Sequence, residues 1–138
     1  MTRRVFAAHL DELAGLRQFV GEMARQAGLS PEADYRLRLA VDEIATNIIT
    51  HGYEEAGRSG DLVVSAEVDP SELRIVLEDS GIPFDPRSRA VPSRDQLERP
   101  LEERAIGGLG LYMVMEGVDR FDYEYAGERN RNILVMRR

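Results

Sequence analysis

The chain has no cysteine among its 138 residues, which excludes a disulfide framework and thiolate chemistry. It has only two histidines, too few without cysteine to make a structural zinc site an attractive reading. No apolar run approaches the ~18 residues of a membrane span. The opening MTRRVFAAHLDELAG carries two arginines but no apolar core, so neither a signal peptide nor a membrane anchor is expected there. Basic residues are also in deficit. The formal net charge is -7, which argues against a nucleic-acid binder, since such proteins show a basic patch or stripe. The deficit does not exclude an anionic ligand, because helix N-termini and backbone N–H groups hold phosphates without a positive surface.

What is present is ordinary globular composition, with 43% hydrophobic and 31% charged residues. The length suits one domain spanning 1–138 and one core. Residues 2 to 8 read as an edge strand or an arm. Residues 10 to 27 read as a helix, with Leu13, Leu16, Val20, Met23 and Ala27 in one stripe and Gly28 as its stop. Ser30-Pro31 opens a second helix, Ser at the N-cap and Pro at the first helical position, with the stripe Leu37, Val41, Ile44 and Ile48 and an end near Gly52. Residues 62–68 and 72–79 read as a hairpin, and residues 120–137 as a second. Between the hairpins lies SGIPFDPRSRAVPSRDQLERPLEERA, a proline-rich charged stretch of a length usually reserved for lids and binding loops. This order predicts a two-layer α/β sandwich with the helices on one face of a mixed, mostly antiparallel sheet.

Three features carry chemistry. Glu43 and Asn47 share a helix face at the rim of the apolar stripe. A carboxylate there can orient or deprotonate a nucleophile, and an amide oxygen suits Mg²⁺. The same spacing also occurs on solvated helix faces. His51 continues the line and reads as a helix-end residue whose cation suits the C-terminus. Asp79 ends a strand on the side of Leu73, Ile75 and Leu77, toward the core, where a carboxylate needs donors. Either local backbone N–H groups supply them, or a ligand amine such as adenine's does, with Gly81 allowing close approach. Gly107-Gly108-Leu109-Gly110 opens a helix-like run that could face phosphates, but neither GxxxxGK[ST] nor G-x-G-x-x-G is matched. The Tyr123/Tyr125 stripe reads as sheet core or surface.

Taken in order, DEIATNIITHG, LEDSGIPFDP and GGLGLYMV resemble the Bergerat-type (GHKL) ATP-binding fold, and within it the small anti-sigma-factor serine/threonine kinases of the RsbW and SpoIIAB type. The resemblance covers about residues 5 to 137. It implies ATP and Mg²⁺ as cofactors, Asn47 as the Mg²⁺ ligand, Glu43 as the base acting on a protein serine hydroxyl, and Asp79 with Gly81 at adenine. It further implies Gly108 and Gly110 at the phosphates, an ATP lid from about 85 to 107, and Arg104, less so Arg99, reaching the γ-phosphate. Implied partners are a STAS-type anti-sigma factor antagonist, a sigma factor and a second copy of the chain, with no direct nucleic acid or membrane contact and a cytoplasmic location. Pro83 departs from the D-x-G-x-G of histidine kinases and gyrase-like relatives, and P-F-D-P is typical of the anti-sigma class instead. An ATP-binding regulatory module without phosphoryl transfer, and a slow ATPase, are the alternatives.

Overall fold

The computed structural model describes residues 1–88 and 114–138. Five strands form one sheet: β1 (Thr2–Ala7), β2 (Asp61–Val68), β3 (Glu72–Asp79), β4 (Arg120–Ala126) and β5 (Arg129–Arg137), in the order β1-β2-β3-β5-β4. Every neighbouring pair is antiparallel, so among the described residues the sheet has no parallel pair where the sequence reading allows a mixed one. Residues 2–7, read as strand or arm, pair with β2 within the chain as an edge strand.

Two helices cover one face of the sheet, giving the expected two layers. Helix α1 (Leu13–Ala27) buries Leu13, Leu16, Phe19, Val20, Met23 and Ala27. It ends where predicted: Gly28 takes φ 71°, and the Leu29 N–H donates back to the Ala24 carbonyl at 3.1 Å. A side chain at that φ would be strained, so glycine terminates the helix at little cost. Helix α2 (Pro31–Asn47) starts with the Ser30 hydroxyl accepting the Ala33 N–H at 3.1 Å, while Glu32 and Asp34 face the positive end of its dipole. Leu37, Val41, Ile44 and Ile48 are buried as their spacing predicts, against Leu73, Ile75 and Leu77 of β3 and Leu134 and Met136 of β5 in one continuous core. No helix among the described residues is long and apolar enough to cross a membrane.

The helix boundaries differ from the periodicity in two places. Residues 10–12 form a tighter 3₁₀ turn ahead of α1, with His9 Nδ1 accepting the Asp11 N–H at 3.2 Å. At the other end α2 stops at Asn47 and widens into a π-helical turn, Ile48–Glu54. Wider bonds follow it, Glu55 N–H to Thr50 O at 2.9 Å and Arg58 N–H to Tyr53 O at 2.8 Å. The pattern of apolar residues sees only which face is buried, not the one-residue change in bonding. The wider turn buries Ile48, Ile49, Gly52 and Tyr53 together and carries Gly52 onto the end of β3.

The β4–β5 hairpin turns on Gly127 and Glu128, at φ 60° and 62°. Two consecutive left-handed residues make the mirror-image turn that matches the twist of a two-residue hairpin. Glutamate is a poor occupant of the second position, where its Cβ crowds the backbone. Glu128→Gly should therefore stabilise the chain by about 0.5–1 kcal/mol. Urea unfolding should show a higher midpoint at unchanged slope.

Candidate functional site

The end of α2, its π-helical turn and the loop after β3 meet at one end of the sandwich. Asp79 is the last residue of β3, on the core face, and only 2% of it is exposed. Its Oδ1 accepts the Gly81 N–H at 2.9 Å and the Asn130 amide at 3.0 Å. Its Oδ2 is buried and has no hydrogen-bond partner among the described residues. The local-turn reading of Asp79 holds at Oδ1, while Oδ2 takes no part in the turn. Burial pushes the carboxyl above its ordinary value, against the Gly81 and Asn130 hydrogen bonds and the Arg129 charge, which lower it.

The loop carrying Asp79 and Gly81 is gripped by the π-helical turn. The Ile82 N–H donates to the Gly52 carbonyl at 3.2 Å. The Tyr53 hydroxyl accepts the Ser80 N–H at 2.8 Å and donates to the Asp61 carbonyl at 2.9 Å. A Cβ on Gly81 would lie 2.8 Å from the Gly52 oxygen and 3.0 Å from its carbon, both backbone atoms that cannot swing aside. Gly81→Ala should therefore cost about 1–3 kcal/mol of stability and displace the loop. Chemical denaturation reads the first effect.

A narrow cleft opens beside Asp79. Ile44, Ile48, Ile82 and Phe84 supply apolar walls, and Asn47, Asp79, Asn130 and Asn132 supply polar atoms. Its interior leaves about 20 Å³ for water centres, enough for roughly one water. Admitting a purine requires the walls to part, and the side made by Ile82 and Phe84 is irregular chain outside the sheet. Asn47 sits at the mouth side of α2, half-buried, its Nδ2 donating to Glu43 Oε1 at 3.4 Å. That bond uses the amide nitrogen and leaves the amide oxygen to other partners. Among the described residues no group of three His, Cys, Asp or Glu side chains could hold a metal alone. A Mg²⁺ ion at Asn47 would draw its remaining ligands from phosphate oxygens and water, the usual arrangement for this ion.

Glu43, Asn47, Asp79 and Gly81 are thus brought to one end of the fold. Gly108, Gly110, Arg104 and Arg99, and the lid beyond residue 88, lie outside the described residues. His51 stands in the last turn of the helical run, as read, within the π-helical segment that continues α2, and its Nδ1 pairs with Glu55 Oε2 at 2.8 Å. Tyr123 packs against the core and Tyr125 is exposed, as the core-or-surface reading has it. The Tyr123 hydroxyl also donates to Asn130 Oδ1 and accepts the Phe84 N–H at 3.3 Å; burial raises the phenol above its ordinary value and keeps it a donor. Asn130 and Asn132 were legible by the signal that found Asp79, since both continue the core face of Leu134 and Met136 as polar residues. Tyr53 leaves no such mark, because only its hydroxyl is unusual.

The described residues thus form a helix layer on an antiparallel sheet, with a buried aspartate at a strand end and an asparagine at a helix end lining one cleft. Residues 6–138 match the histidine kinase-like ATPase domain family, and the chain belongs to it. It is similar to the serine-protein kinase RsbW of Bacillus cereus (strain AH187), 27% identical over 133 residues that cover 94% of this chain and 79% of that one. RsbW of Bacillus thuringiensis (strain Al Hakam) is 28% identical over 132 residues, with the same coverage.

Proposed function

We propose that the chain is an ATP-dependent protein serine/threonine kinase and anti-sigma regulatory factor of the cytoplasm. It would transfer the γ-phosphoryl group of ATP to a serine or threonine of a small STAS-type antagonist. The observation that carries the reading is the buried Oδ2 of Asp79, without a hydrogen-bond partner among the described residues, on a side chain lining a cleft with apolar walls. A buried acceptor of this kind requires a donor, and an exocyclic amine on a flat apolar ring supplies one while filling the walls. Adenine fits that description, and the relation to RsbW supports ATP as its source.

The remaining roles are carried over from the resemblance to the family. Asn47 would hold Mg²⁺ by its amide oxygen, and the bound ion would neutralise charge developing on the transferred group. Glu43, hydrogen-bonded to Asn47 on the same helix face, would accept the proton of the attacking hydroxyl. Gly108 and Gly110 would give backbone N–H groups to the phosphates, and Arg104 a guanidinium to the γ-phosphate. Binding a sigma factor and forming a homodimer complete the proposal by kinship with RsbW.

Incubation with labelled Mg·ATP and candidate antagonist proteins tests it. Label in an antagonist serine or threonine is expected. ATP binding without transfer would make the chain a regulatory module, and phosphate release without a protein acceptor would make it an ATPase.

A further inference from the structure

Asn130 and Tyr123 are outside every role assigned above, yet they surround the carboxylate on which the reading depends. Asn130 is 3% exposed and stands directly across from Asp79 in the β3–β5 register. Its Nδ2 lies 3.0 Å from Asp79 Oδ1, 3.2 Å from the Gly81 carbonyl and 3.2 Å from the Ile82 carbonyl. All three neighbours are acceptors. Its Oδ1 faces two donors, the Tyr123 hydroxyl and the Phe84 N–H, the latter at 3.3 Å. The amide therefore has one satisfiable orientation: turned over, it would set an oxygen against three acceptors and an NH₂ against the Phe84 N–H.

The consequence falls on Asp79. Asn130 and the Gly81 N–H together occupy Oδ1, and Oδ2 is the oxygen left without a partner among the described residues, on a side chain that lines the cleft. We propose that Tyr123 and Asn130 form a positioning relay that sets base selectivity: the tyrosine hydroxyl orients the amide, and the amide holds Oδ1 of Asp79 so that Oδ2 is presented to the ligand. This rests on the reading that the cleft takes adenine. An ionised oxygen accepts from the adenine amino group and repels the guanine O6, which is itself an acceptor. Without the relay, the buried carboxyl loses a donor that favours its charged form and gains freedom to protonate or turn. A protonated carboxyl donates, and so tolerates O6. The relay thus acts through Asp79.

The test is calorimetric titration of the full chain with ATP and with GTP, both with Mg²⁺, for wild type, Asn130→Leu and Tyr123→Phe. Tyr123→Phe removes one hydroxyl and serves where the leucine variant does not fold, with thermal melting reporting folding of each. Wild type should prefer ATP. The ATP-to-GTP affinity ratio should fall about tenfold or more in Asn130→Leu, the loss of a hydrogen bond to a charged group, and about threefold to tenfold in Tyr123→Phe. A purely structural role would lower melting temperature and leave the ratio unchanged, and a wild-type ratio in folded variants overturns the relay alone. If wild type binds neither nucleotide, the adenine reading fails and the relay fails with it.

Discussion

Asp79→Asn should bind ATP about a hundredfold more weakly than wild type, a loss of ~3 kcal/mol, and should melt at a higher temperature at neutral pH. Both effects come from one atom. Oδ1 keeps its bonds to the Gly81 N–H and the Asn130 amide, so the asparagine nitrogen is forced into the place of Oδ2. There it presents a donor to the donor of an adenine amino group. Stability moves the other way because the wild-type carboxylate is buried with one oxygen unpartnered.

The pH dependence has a definite sign. Burial raises Asp79 above the ordinary 3.8, so the folded chain holds this proton more tightly than the unfolded chain does. The stability this group contributes is therefore full below 3.8 and is lost as pH rises through its folded pKa. The asparagine variant has no such loss, so its advantage in melting temperature should open with rising pH over that window. Nucleotide affinity of wild type should show the opposite trend, falling as pH drops and the acceptor protonates. Glu78 and Arg129, the charged groups beside Asp79, shift the midpoint in opposite directions without changing the sign.

Glu43→Gln should lower phosphoryl transfer to an antagonist by roughly 10²–10⁴-fold, the usual worth of a general base. ATP affinity should stay within about threefold, because Glu43 lies outside the cleft walls and touches the site through Asn47. Glutamine is nearly isosteric and can still bond the Asn47 amide, so Asn47 keeps its place. Single-turnover transfer beside equilibrium ATP binding separates the two quantities. Equal transfer by wild type and variant would remove Glu43 from the chemistry. A parallel loss of binding would make it a positioning residue for Asn47.

How much of this was legible beforehand depended on whether the determinant was local. Gly28 and Ser30-Pro31 mark helix ends by backbone conformation and hydrogen-bonding capacity, and both ends stand where those residues put them. Strand alternation placed Asp79 on the core face, and it is buried there. The π-helical turn was not legible, because Ile48, Ile49 and Tyr53 suit an apolar face under either bonding pattern. Its position is decided by the docking of Gly52 against Gly81, a contact between segments about 30 residues apart in the chain. For Tyr123 alternation gave the side of the sheet, but not the reach of its hydroxyl to Asn130 across the β4–β5 pair. Asn130 and Asn132 carried the same signal as Asp79 and stand as its companions in the cleft.

The most direct measurement is a structure of the chain soaked with Mg²⁺ and a non-hydrolysable ATP analogue. The account predicts the adenine amino group within hydrogen-bond distance of Asp79 Oδ2, the cleft widened at Ile82 and Phe84, and the metal on the oxygen of Asn47. Nucleotide bound elsewhere, or an adenine whose amino group faces away from Asp79, would contradict it.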